Sequence, residues 1–86
     1  MSGLIAEVRE SLSLPNPALA RTIREAAGVS QARLGAELGV HELTVHRWEA
    51  GTRIPHGELR LAYGRLLREL DEATRARPRE ERRHDG

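Results

Sequence analysis

The sequence predicts an all-α fold, a compact five-helix bundle, and three observations predict it. Apolar residues recur at spacings of three and four along successive stretches of the chain. Glycine or proline punctuates the gaps between those stretches. No stretch carries the strict apolar–polar alternation of a strand. With 86 residues there is room for one domain. A single core of this size supplies only about 3–5 kcal/mol of net stability. Cysteine is absent, which removes disulfides, thiolate zinc sites and cysteine nucleophiles together. The only aromatic residues are Trp48 and Tyr63, so an aliphatic core is expected.

The first helix is expected over residues 2–12, where Leu4, Ile5, Val8 and Leu12 form a stripe and Ser2 supplies a cap. Pro15 then excludes the helical conformation from Leu14; Asn16 is a good N-cap and Pro17 suits the first helical position. A second helix follows over residues 17–27, with Leu19, Ala20, Ile23 and Ala27 facing inward and Gly28 ending it. Ser30 caps a third, Gln31–Leu38, which buries Leu34 and Leu38 and stops at Gly39. The fourth begins near Glu42 after so short a turn that the two helices must cross steeply. Val45 and Trp48 form its inner stripe and Gly51 closes it. A loop over residues 52–57 contains Pro55, and the last helix spans residues 58–75. Its stripe is Leu59, Tyr63, Leu66, Leu70 and Ala73, with Ala62 and Leu67 alongside. From Thr74 charge dominates, and such a segment cannot offset its ordering entropy. The chain thus divides into a helix and linker at 1–16, a helical body at 17–73 and a disordered charged tail at 74–86.

Net charge is +1, but all 14 basic residues are arginine. Codon usage in a GC-rich genome is the ordinary explanation for such a bias, which nonetheless suits bidentate contacts to phosphate and guanine. The N-terminus has no basic region, and Glu7, Arg9 and Glu10 interrupt its apolar residues, so neither a signal peptide nor a membrane span is expected. A cytoplasmic location follows as the expectation. His41 and His46 are five apart and share no face as a metal pair would; His56 and His84 stand alone. With no recognisable nucleophile–base pair, carboxylate pair or phosphate loop, neither enzymatic activity nor a metal or cofactor is expected.

The stretch 24–55, REAAGVSQARLGAELGVHELTVHRWEAGTRIP, resembles the phage-repressor and Cro-like helix-turn-helix family, also called the xenobiotic-response-element type. The matching features are Gly28-Val29-Ser30-Gln31, Leu34-Gly35, the turn Leu38-Gly39-Val40, Thr44-Val45, Arg47-Trp48-Glu49, Gly51 and Pro55. The likeness extends over about residues 19–67 without a gap. It implies a regulator of transcription that binds double-stranded DNA, a repressor on palindromic operators, with the antitoxin of a toxin–antitoxin pair as the alternative. Glu42, Leu43, His46 and Arg47 would then meet base edges, since the N-terminal part of a recognition helix enters the major groove. Gln31, His41, Thr44 and Arg53 would touch the DNA backbone. Arg24 and Glu49 would form a structural ion bridge, with Arg24 also near the backbone. Glu42 and His41 depart from the usual pattern of a neutral or basic reader and a serine or threonine cap. One such helix covers four or five base pairs, so a homodimer is implied. Its interface would come from the first helix or the last, and the last helix or the tail would be open to a protein partner.

Overall fold

The computed structural model describes residues 3–5 and 14–77. Four helices lie wholly among them: α1 (Pro17–Ala26), α2 (Gln31–Leu38), α3 (Glu42–Ala50) and α4 (Gly57–Arg75). No strand occurs among the described residues, so the fold is all-α. Gly3, Leu4 and Ile5 are helical and exposed, within the span expected of a first helix; the rest of that span lies outside the described residues.

Local chemistry sets the helix ends. The Asn16 Oδ1 accepts from the Leu19 N–H at 2.8 Å, with Pro17 in the first turn of α1. The Ser30 Oγ accepts from the Arg33 N–H at 3.0 Å to start α2. At the far end of α2, Gly39 takes φ +77°, a left-handed conformation that a side chain would strain. That turn lets the Gly39 N–H reach the Ala36 carbonyl and the Val40 N–H reach the Gly35 carbonyl at 2.8 Å. Both orphan carbonyls are thereby satisfied in the pattern of a Schellman closure. The ends of α1 and α3 carry the same pair of bonds: Gly28 to Glu25 with Val29 to Arg24, and Gly51 to Trp48 with Thr52 to Arg47.

Gly35 decides how closely α2 and α3 approach. A Cβ there would stand 2.6 Å from the Val40 carbonyl oxygen and 3.4 Å from the Glu42 nitrogen. The absent side chain leaves the backbone entering α3 lying directly on α2.

The core gathers Ala20 of α1, Leu34 of α2, Val45 and Trp48 of α3, and Tyr63 and Leu67 of α4. Trp48 and Tyr63 meet with ring centroids 4.7 Å apart and planes inclined at 36°, joining α3 to α4 within it. Two expected faces need correction. Leu19 is 48 % exposed, whereas Arg24 is buried; the inner face of α1 runs Ala20–Ile23–Arg24, because an ion pair holds the charge inside. In α4 the fully buried residue is Leu67, while Leu59 and Ala73 are exposed. Leu66 and Leu70 flank Leu67 and pack on the core. The helix also runs through Thr74 and Arg75, where Thr74 bonds the Leu70 carbonyl and Arg75 pairs with Asp71. Residues 78–86 of the expected tail lie outside the described residues.

The buried Tyr63 hydroxyl has no hydrogen-bond partner among the described residues. Burial, with the Glu49 carboxylate adding to it and Arg24 opposing it, pushes the phenol up to about 12 from 10.0. Folding therefore favours the neutral phenol. That contribution is whole below pH 10 and is lost as the pH rises through about 12, because the unfolded chain releases a proton that the folded chain keeps. Tyr63→Phe is expected to raise the urea midpoint at neutral pH, by about 1 kcal/mol of stability, since an unsatisfied buried group is removed. It should also abolish this part of the alkaline loss. A clear fall in the midpoint at neutral pH would contradict the assignment.

Candidate nucleic-acid interface

Helix α3 has two unlike faces. Val45 is fully buried and Trp48 nearly so, and together they fasten the helix to the core. Glu42, Leu43, His46 and Arg47 point the other way and are all exposed; Leu43, an apolar side chain, is 44 % open to solvent. None of the four side chains forms a hydrogen bond or ion pair among the described residues. Thr44 is half-buried at the edge between the faces, and Arg53 is exposed in the loop after α3.

The start of α3 is held by the residue that departs from the usual cap. The His41 Nδ1 accepts from the Leu43 N–H at 3.0 Å, doing with an imidazole lone pair what a serine hydroxyl does elsewhere. Glu42, in the first turn, lies at the positive end of the helix, where a carboxylate is favoured.

Three helices are tied together behind that face. The Arg24 Nε donates to Glu49 Oε2 at 2.6 Å and the Arg24 Nη2 to Glu49 Oε1 at 3.0 Å, a bidentate pair between α1 and α3. The Arg24 Nη1 donates to the Val29 carbonyl at 2.8 Å. From α2, the Gln31 Nε2 donates to the same Glu49 Oε1 at 3.0 Å. The Glu49 side chain is 3 % exposed and that of Arg24 10 %, so the pair is internal. The hydrogen-bonded carboxylate holds the guanidinium above its ordinary range, against the cost of burial. Three of the five Arg24 N–H groups are thus committed within the fold. One amide hydrogen of Gln31 is also committed to Glu49, while the second hydrogen and the amide oxygen remain for an outside partner.

An open concavity of about 460 Å³ lies between α1, the start of α2 and the start of α3. It brings Gln31, Glu42, His46 and Arg24 onto one surface, together with Ser30, Ala32 and Arg21. Leu43, Arg47, His41, Thr44 and Arg53 do not line it. Arg21 was not singled out by sequence reasoning. The available signal was its position three residues before Arg24, which puts both arginines on neighbouring parts of one helix face.

Among the described residues no helix is long and apolar enough to cross a membrane. Comparison with curated proteins and with solved structures finds no match. A family model described as helix-turn-helix matches residues 21–68, which covers α2 and α3 entirely and reaches into α1 and α4. The match takes in more than half the chain and coincides with the paired helices joined at Gly35 and Gly39. The chain therefore belongs to the helix-turn-helix family of the phage-repressor and Cro type, and is a DNA-binding regulator of transcription.

Proposed function

We propose that the protein is a sequence-specific repressor that binds palindromic operator DNA as a homodimer and acts by occluding a promoter. Glu42, Leu43, His46 and Arg47 read base edges from α3, and Gln31, His41, Thr44 and Arg53 hold the DNA backbone. The observation that carries this reading is the outer face of α3, four exposed side chains with no bond among the described residues, on a helix whose other face is sealed by Val45 and Trp48. In this arrangement Arg47 suits guanine O6 and N7, Leu43 a thymine methyl, and Glu42 the amino group of cytosine. A twofold dimer places two such helices about one turn of DNA apart, which supplies the site length that one helix lacks. A cytoplasmic location accords with that role.

Selection of duplexes from a randomised pool tests the proposal. The wild-type chain is expected to enrich a motif with twofold symmetry. Arg47→Ala should lose preference at one position in each half-site, by about 5- to 150-fold, which corresponds to about 1–3 kcal/mol. No enriched motif, or the same motif with the same preference from both proteins, would sink the assignment of α3 as the reader.

A further inference from the structure

Arg21 stands on α1, one turn before the buried Arg24, with its side chain 63 % exposed. Its Nε donates to Glu25 Oε2 on the same helix at 2.9 Å. It lines the same concavity as Gln31, Glu42 and His46, the side that α3 would turn toward DNA. The charges on that surface are unequal in availability. Arg24 is neutralised by Glu49 inside the fold, and Glu42 contributes a carboxylate at the lip. Arg21 is therefore the cation on this wall that is both exposed and free to change partners.

We infer that Arg21 seats a phosphate of the DNA backbone beside the bases read by α3, giving up Glu25 for that phosphate. The inference rests on α3 being the recognition helix. An exposed pair between residues four apart on one helix contributes little and is readily released. A phosphate offers the guanidinium two parallel charge-assisted hydrogen bonds, and the exchange frees counterions from the DNA. The seat also explains how an acidic residue is tolerated at position 42, because Arg21 supplies compensating charge on the same surface.

Arg33 gives a matched control. It is 65 % exposed and pairs with Glu37 at 3.0 Å, again four residues on, but it lines a different groove with Val29, Leu34, Leu66 and Leu70. The experiment measures fluorescence anisotropy of a labelled mixed-sequence duplex titrated with the full chain at two salt concentrations. Arg21→Ala is expected to bind more weakly than wild type. Its deficit should shrink about threefold between about 50 and about 200 mM salt, the signature of one lost phosphate contact. Arg21→Lys should keep the wild-type salt dependence, and Arg33→Ala should follow wild type. Superimposable curves for Arg21→Ala and Arg33→Ala would overturn the seat. If they superimpose while Arg47→Ala still loses its base preference, the seat fails alone. If Arg21→Ala flattens the salt dependence while Arg47→Ala loses no preference, the seat stands and the assignment of α3 fails. If no duplex binds, both fall.

Discussion

Glu49→Ala is expected to cost about 3–5 kcal/mol of stability, the range found when one partner of a buried ion pair is removed. The reason lies in what stays behind. Arg24 keeps a charge in a site that is 8 % exposed, hydrogen-bonded to the Val29 carbonyl and with the half-exposed Glu25 carboxylate 3.9 Å away as its remaining ion-pair partner, and the Gln31 amide loses its partner as well. A core of this size supplies about 3–5 kcal/mol in total, so the variant should be largely unfolded at room temperature. Urea denaturation followed by circular dichroism checks this directly. The double variant Arg24→Met with Glu49→Leu should recover much of the loss, because two apolar groups leave no charge uncompensated. Failure of the double variant to exceed Glu49→Ala would mean that the pair stabilises the fold by more than avoiding a buried charge.

Gly35→Ala should have the second largest effect, and two opposing quantities decide its sign. Alanine in place of a helical glycine gains about 1 kcal/mol in propensity. Against this, the new methyl would sit 2.6 Å from the Val40 carbonyl oxygen, which is backbone and cannot swing aside. Overpacking of that kind costs about 1–3 kcal/mol, and relief requires α3 to move off α2. A net loss of stability is expected, with the remaining folded protein binding DNA without the wild-type sequence preference. Thermal denaturation and the duplex selection described above measure the two consequences separately. A gain in melting temperature would show that the turn after α2 can yield.

Much of this architecture was legible because helix ends are written locally. Asn16-Pro17, Ser30 and the glycines at 28, 39 and 51 act within a few residues of themselves, so α1, α2 and α3 were placed to within a residue or so. Inner faces were less legible. Leu19 outranks Arg24 on any hydrophobic scale, yet Arg24 is inside because Glu49 lies 25 residues away to receive it. The stripe of α4 was read one position off its centre, because Leu66, Leu67 and Leu70 are chemically alike and only packing shows that Leu67 lies deepest. At the candidate interface the exposed set on α3 followed from the inner register of Val45 and Trp48 together with the family resemblance. The bond from Gln31 to Glu49 and the place of Arg21 in the concavity did not, since both depend on how three helices are set together.

The two faces of α3 bear on how such a regulator changes over generations. Anchoring falls to Val45, Trp48 and Glu49, while Glu42, Leu43, His46 and Arg47 have no side-chain bond among the described residues. On the proposed reading, substitutions at Leu43, His46 and Arg47 would redirect the protein to a new operator while leaving those anchors untouched. After a gene duplication, one copy is free to diverge in target while its scaffold stays under the same physical constraints. Divergence should gather on one side of a nine-residue helix and spare the other.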